Sequence, residues 1–175
     1  MGLRTRKLTI MATLTAAALI IFIIEAQVPL PIAVPGAKLG LANTITLFAL
    51  FYSEKSGGRA AVKLKSRDAF TILALRIFLG AIFTGRFLTL LLSFGGGLLG
   101  FFAQVLSKKI VTDRQVWVCG AIGGVFHNVG QVLVAMFILG STAIIAYLPI
   151  LLIIGILSGT LTGLVAQVVL SRLSI

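Results

Sequence analysis

Long apolar runs dominate this chain and limit the folds that it can adopt. A membrane-spanning helix needs about 20 apolar residues, within a range of about 17–25. Six runs are candidate spans: Leu8–Ile24, Leu39–Tyr52, Ala69–Phe83, Phe87–Leu106, Val116–Leu139 and Ala143–Leu170. Charged residues make up only 11% of the chain, against about 25% in a typical soluble domain. We therefore predict an all-α integral membrane protein: one domain over residues 1–175 with six transmembrane helices.

The basic residues predict how these helices are oriented. If the N-terminus is cytoplasmic, twelve of the fifteen Lys and Arg residues fall on the cytoplasmic side, as the positive-inside rule requires. These twelve are Arg4, Arg6, Lys7, Lys55, Arg59, Lys63, Lys65, Arg67, Lys108, Lys109, Arg114 and Arg172. Both termini are therefore predicted to be cytoplasmic. The same bias accounts for the net charge of +11 without a nucleic-acid partner.

The segment between the first two runs, EAQVPLPIAVPGAKLGLAN, cannot be a continuous helix. It contains Pro29, Pro31 and Pro35, and proline removes a backbone donor and disfavours a helical residue before it. The segment is nevertheless apolar, so protein, lipid or ligand must cover it. The second and third runs are short, and irregular backbone buried in protein can fill the remaining depth. We predict a lid-like loop over residues 25–38.

Polar residues at membrane depth are the candidate ligand-binding residues, because they are costly there. They are Glu25, Lys38, Asn43, Arg76, Arg86, His127, Asn128 and Gln131, mostly in the predicted outer half. Three are cationic and only Glu25 is acidic, so an anionic ligand would balance the charge, and arginine suits phosphates and carboxylates. Alternatively, Arg76 pairs with Glu25 or backbone carbonyls, Arg86 snorkels to the interface, and His127 is an ordinary core histidine.

Small residues spaced four apart predict close helix contacts. Ala12 and Ala16 share one face of the first helix, where small side chains let another helix approach. That helix belongs either to this bundle or to a partner. Glycine ladders at Gly96/Gly100, Gly120/Gly124 and Gly155/Gly159/Gly163 indicate a tight bundle. Gln104 and Gln167, in the inner half, are interpreted as hydrogen-bonding residues of the bundle.

Several chemistries are absent from the sequence. It contains no G-x-x-x-x-G-K-[ST] phosphate loop, no Asp-rich magnesium motif, no paired carboxylates and no Cys/His cluster. Cys119 is the single cysteine and lies in an apolar run, as a buried hydrophobe would. No chain of buried carboxylates offers a proton relay. We therefore predict no enzymatic activity, no cofactor and no metal, and active transport would need energy from another subunit.

The segment PGAKLGLAN over residues 35–43, together with Arg76 and Phe126-His127-Asn128, resembles the Gx transporter family, often labelled heptaprenyl diphosphate synthase component I. More broadly, the chain resembles the substrate-binding S components of energy-coupling factor (ECF) transporters. This resemblance implies that Ala12 and Ala16 dock on a transmembrane T subunit bound to two ATPases. It also implies that Val28–Ala37 covers an outward-facing site, in the cell membrane of a prokaryote. The synthase label fits the sequence poorly, because prenyl transfer normally uses Asp-rich motifs.

Three functions follow as hypotheses. The leading one is an S component that captures a small anionic or amphipathic molecule from outside, held by the candidate residues above. The second is a membrane accessory protein of isoprenoid or quinone synthesis or of a redox pathway, without transport of its own. The third, a passive channel, needs a polar path through both halves of the bilayer, and the inner half offers little beyond Gln104 and Gln167.

Overall fold

A computed structural model describes residues 2–27, 40–53, 61–85 and 87–173. Six α-helices make up most of it: α1 (Leu3–Gln27), α2 (Asn43–Phe51), α3 (Ser66–Thr84), α4 (Phe87–Ser107), α5 (Val116–Leu139) and α6 (Leu148–Leu173). Short 3₁₀ turns, Asp113–Gln115 and Thr142–Tyr147, precede α5 and α6. An isolated antiparallel bridge between Ser53 and Lys63 links the end of α2 to the approach to α3. The all-α prediction is confirmed.

Among the described residues, four segments are long and apolar enough to cross a membrane: Leu3–Glu25, Phe87–Ser107, Val116–Leu139 and Thr142–Leu173. The chain is thus a multi-pass membrane protein. Helix α2 has only 9 residues, which corresponds to about 14 Å, so it cannot cross the hydrocarbon core alone. Helix α3 has 19 residues but includes Arg67, Asp68 and Arg76, which lower its hydropathy. Six full spans remain a prediction.

Consecutive helices run antiparallel. The evidence is a set of contacts that places the starts of α1, α3 and α5 and the ends of α2, α4 and α6 at the same end of the bundle. These contacts are the Lys7–Asp68 ion pair at 2.7 Å, the Lys108 Nζ to Leu50 O hydrogen bond, the Ser107 Oγ to Cys119 Sγ contact at 3.2 Å and the Trp117 N to Gln167 Oε1 contact at 3.5 Å. Apart from Arg76, the described Lys and Arg residues lie near these termini. We call this the basic end.

Helices α4, α5 and α6 pack backbone against backbone through glycines. A Cβ atom added to Gly100 would lie 2.8 Å from the carbonyl oxygen of Gly123. One added to Gly130 would lie 2.5 Å from the carbonyl oxygen of Gly95. The same close approach joins α5 to α6 at Gly120, Gly124, Gly155, Gly159 and Gly163. The predicted glycine ladders are therefore helix interfaces within the bundle.

Helices α1, α2 and α3 pack through side chains instead. Helix α2 lies between α3 and α6, and α1 packs on α3 and α2. Their shared core is aliphatic, with Leu50, Leu64 and Ile72 each no more than 1% exposed. Helix α3 begins where Asp68 Oδ2 accepts a hydrogen bond from Lys65 N at 2.6 Å. It ends at Gly85, whose φ of +65° is one that other residues rarely adopt.

Candidate functional site

Arg76 is buried in the middle of the bundle. It lies ten residues after the start of α3, about 15 Å from the basic end, and is 4% exposed. Its Nη2 donates a hydrogen bond to Oδ1 of Asn43 at 3.0 Å, and its Cζ lies 5.8 Å from the centre of the Phe22 ring. Its Nε has no hydrogen-bond partner among the described residues. A buried guanidinium with an unused donor can bind an anion or a carbonyl oxygen.

Asn43 lies deeper than the sequence suggested. A second span beginning at Leu39 would put it just inside the outer surface. In the structure α2 begins at Asn43 itself and is short, so Asn43 lies only about 12 Å from the other end of α2. This places Asn43 level with Arg76. The preceding Gly40 has a φ of +72°, which delays the start of the helix.

Glu25 joins the end of α1 to the start of α2. Its side chain is 8% exposed, and its Oε1 accepts a hydrogen bond from Gly40 N at 2.5 Å. The charge of Glu25 also acts on Arg76, although the described hydrogen bond of Arg76 goes to Asn43. The hydrogen bond described for Arg76 thus goes to Asn43, and Glu25 acts on Arg76 through its charge. The hydrogen bond from Gly40 N also ties Glu25 to the backbone that precedes α2.

Two small polar cavities adjoin Asn43, and His127 and Gln104 line both of them. The first has about 10 Å³ of space open to water and also touches Thr46, Leu73 and Gly123. The second has about 20 Å³ and extends to Asn128, Ser158 and Thr162 on α5 and α6. About 10–15 Å³ is enough for one water molecule. Each cavity is therefore of the size of one ordered water.

Three of the predicted residues lie together on one helix, with different surroundings. His127, Asn128 and Gln131 of α5 are 9%, 4% and 6% exposed. Asn128 Nδ2 donates to the carbonyl oxygen of Leu151 at 2.5 Å, which ties α5 to the first turn of α6. His127 and Gln131 lie against Gly96 of α4, where a Cβ atom would contact both. His127 and Asn128 thus border the cavities, whereas the structure places Gln131 between α4 and α5.

The structure adds residues to the candidate site. Gln104, predicted to be a hydrogen-bonding residue of the bundle, lies against Gly123 and borders both cavities. Thr46 is 2% exposed, and its Oγ1 has no hydrogen-bond partner among the described residues. The sequence signal for Gln104 is a polar side chain within an otherwise apolar run. Thr46 gave no signal, because threonine is common in apolar helices.

Lys38, Arg86 and the predicted lid Val28–Ala37 lie outside the described residues. Within the described ranges, no three His, Cys, Asp or Glu side chains are close enough to share a metal ion. The polar groups at the site are thus a guanidinium, amides, an imidazole, hydroxyls and one carboxylate. This set can bind an anionic or hydrogen-bonding group.

The predicted docking face is available. Ala12 and Ala16 are both exposed, together with Thr9 and Thr13 beside them. The buried side of α1 is formed by other residues, among them Thr15, Ala18 and Phe22. The reading in which Ala12 and Ala16 pack inside this bundle is therefore wrong.

Comparison with known protein families gives one assignment. A family model described as heptaprenyl diphosphate synthase component I matches residues 14–169. A search of curated proteins gave no match, and a search of solved structures gave none either. The matched range covers all six helices at least in part, and it includes the site around Arg76 and Asn43. The chain belongs to the heptaprenyl diphosphate synthase component I family.

Proposed function

We propose that this protein is the ligand-capturing membrane subunit of an ECF-type importer. It takes up a small molecule with an anionic group from outside the cell and holds that group at Arg76 and Asn43. The observation that carries this proposal is the buried Arg76, which has an unused Nε donor and is hydrogen-bonded to a neutral amide. A charged arginine at membrane depth with an unsatisfied donor is costly, and such residues are functional candidates by default.

The surrounding residues support a binding role for this arginine. Further hydrogen-bonding groups beside Asn43 come from His127, Gln104 and Thr46. The cavities between these residues are small. The anionic group of the ligand enters this polar space beside Asn43. Lys38, Arg86, Asn128 and Gln131 complete the proposed set of ligand-binding residues. Neither a cofactor nor a catalytic step is part of this proposal.

The exposed Ala12–Ala16 face supports the second half of the proposal. It is a smooth, small-residue surface on the outside of α1, and such surfaces allow close helix–helix contact in a membrane. We assign it to a transmembrane T subunit that carries two ATPases. ATP hydrolysis on those subunits then drives uptake, with both termini of this chain in the cytoplasm of a prokaryotic cell.

The binding test uses molecules that stay with the protein during purification. Mass spectrometry of the wild-type protein should detect a retained anionic compound, and Arg76→Gln should lose it while keeping the same melting temperature within a few degrees. Thr71→Val, on the same helix with a hydroxyl bonded to Arg67 O, is the control and should retain the compound. Equal retention by Arg76→Gln would refute the binding site.

The docking test is independent of the ligand. Ala12→Leu with Ala16→Leu should leave the retained compound in place but lose the T subunit in a pull-down from membranes. Ile20→Leu, on an exposed part of the same helix, is the matched control. Unchanged recovery of the T subunit with the double variant would refute the docking face.

The family description favours a second candidate, a membrane accessory protein of heptaprenyl diphosphate synthesis. Its distinguishing prediction is stable co-purification with a soluble prenyl synthase, with lipids as the sole bound small molecules. Recovery of a T subunit and an Arg76-dependent compound would exclude this candidate.

A further inference from the structure

An apolar groove of about 540 Å³ lies between α1, α2 and α6. Its walls include Leu14 and Ile21 of α1, Ile45 and Phe48 of α2, and Val165 and Val169 of α6. Helix α2 lies at the base of the groove, with Ala166 of α6, which is 1% exposed. Val165 on the rim is 48% exposed, so the groove opens toward the surrounding bilayer. It is far larger than either polar cavity.

The groove meets the polar site at one residue. Thr162 of α6 lines both the groove and the larger polar cavity. Two adjacent residues in the first turn of α2 also face the two spaces: Asn43 borders the cavity and Thr44 borders the groove. The polar and apolar spaces are therefore adjacent across the contact between α2 and α6.

The polar side of this junction favours negative charge. Asn43 accepts the hydrogen bond from Arg76, and the unused Nε of Arg76 provides a further donor. Arg76 lines neither space and reaches the junction through Asn43, so a molecule that spans both spaces needs an anionic head at the Asn43–Arg76 pair and a hydrocarbon part against the aliphatic walls. Charge complementarity and the shared wall at Thr162 thus indicate an amphiphile.

We infer that the ligand is an anionic amphiphile, whose head is held at Arg76 and Asn43 and whose hydrocarbon tail lies in the groove between α1, α2 and α6. This inference rests on the proposed function, because it uses the same anion site. The groove has about 540 Å³ of space, many times that of either polar cavity, and its aliphatic walls suit a hydrocarbon tail.

The test uses the full-length protein in nanodiscs of zwitterionic phospholipid. Two photoreactive probes are compared: an alkyl phosphate with a diazirine in its tail, and the neutral alkanol with the same tail. Mass spectrometry maps the adducts. We expect the alkyl phosphate to label Leu14, Ile45 and Val165 about tenfold more than the alkanol does, a difference of about 1.4 kcal/mol.

Two variants on α6 separate the groove from the general lipid surface. Val165→Trp fills the groove and should abolish phosphate-dependent labelling. Val168 is 57% exposed and lies outside the groove wall, so Val168→Trp should leave that labelling unchanged. Arg76→Gln should lower labelling by the alkyl phosphate to the level of the alkanol.

Three results would overturn the inference: equal labelling of the groove by both probes, labelling spread evenly over the lipid-facing helices, or equal effects of the two Trp variants. Its failure is distinguishable from failure of the proposed function. If the Arg76-dependent compound is retained but the groove is not labelled selectively, the tail site alone is wrong. If neither binds, the anion site itself is wrong.

Discussion

Arg76 and Asn43, 33 residues apart, are joined by a hydrogen bond of 3.0 Å in the middle of the bundle. The bond links α3 to the first residue of α2, and it holds one edge of the guanidinium so that Nε remains available. The neutral amide matters here, because a carboxylate in its place would satisfy and neutralise the arginine.

Substitution of Asn43 should therefore separate stability from binding. Asn43→Asp places a carboxylate beside Arg76, and we expect an unchanged or higher melting temperature with loss of the retained anionic compound. Asn43→Ala leaves Arg76 with fewer partners and should cost about 1–3 kcal/mol of stability. Thermal unfolding and mass spectrometry measure the two effects. Retention of the compound by Asn43→Asp would contradict this assignment.

The ion pair between Lys7 and Asp68 at the basic end should make stability depend on acidic pH. Burial alone would raise the pKa of Asp68, but the hydrogen bonds from Lys7 and from Lys65 N and the charges of both lysines lower it below 3.8 overall. A lowered carboxylate pKa stabilises the fold above the unfolded-state pKa, and this contribution disappears as pH falls through the folded-state pKa. The stabilisation is thus complete above about pH 5 and lost progressively below about pH 4.

Asp68→Asn tests this dependence, with Lys7→Gln and the double variant completing a cycle. At neutral pH we expect a coupling of at most about 1 kcal/mol, since both side chains are partly exposed. The coupling should shrink toward zero below about pH 4. A coupling that stays constant from pH 7 to pH 3 would show that Asp68 acts without its charge.

Thr46 should reveal whether water occupies the smaller polar cavity. Its hydroxyl is buried and lacks a described partner, and buried polar groups usually bind something. If an ordered water accepts or donates the missing hydrogen bond, Thr46→Val should lower stability by about 1 kcal/mol. Thr15→Val is the matched control, because that buried hydroxyl bonds its own helix at Met11 O at 2.8 Å. A rise in melting temperature for Thr46→Val would mean that the cavity is dry.

Gly100 should tolerate no side chain, because a Cβ atom there would meet the backbone carbonyl of Gly123 at 2.8 Å. We expect Gly100→Ala to destabilise by about 1–3 kcal/mol, as overpacking of a tight interface does. Gly97→Ala is the comparison on the same helix, since its nearest neighbour is the terminal methyl of Ile77 at 2.9 Å, which can rotate away. Equal thermal stability of the two variants would contradict the backbone contact.

The long apolar helices were predictable, because a run of 20 apolar residues has few alternatives in a membrane. The predicted range for α5, 116–139, agrees with the structure, and the range for α4 differs by one residue. Helix α1 extends through Arg4, Arg6 and Lys7, since charges at a helix terminus do not break it. Helix α6 begins at Leu148 and not at Ala143, because a 3₁₀ turn takes up the preceding residues and Pro149 suits a helix start.

The site was predictable in its residue types and less so in its geometry. Arg76, His127 and Asn128 were recognised because polar groups are rare at membrane depth. Their level in the bundle depends on where each helix begins, and the short α2 placed Asn43 opposite Arg76. The sequence did not reveal that Gln104 borders the cavities, since distance along a helix does not say which neighbour a long side chain meets.

The glycine contacts set α4, α5 and α6 apart from the other helices, because they hold these three backbone against backbone. Sliding α5 against α4 or α6 would drive carbonyl oxygens into the opposing backbone, so these three helices form a stiff frame. Helix α1 is held instead by the Lys7–Asp68 ion pair, by the hydrogen bond between Glu25 and Gly40 N and by side-chain packing. A load on the outer surface of α1 would therefore reach the contacts of Glu25 and Phe22 beside Arg76 before it reached the backbone contacts of the frame.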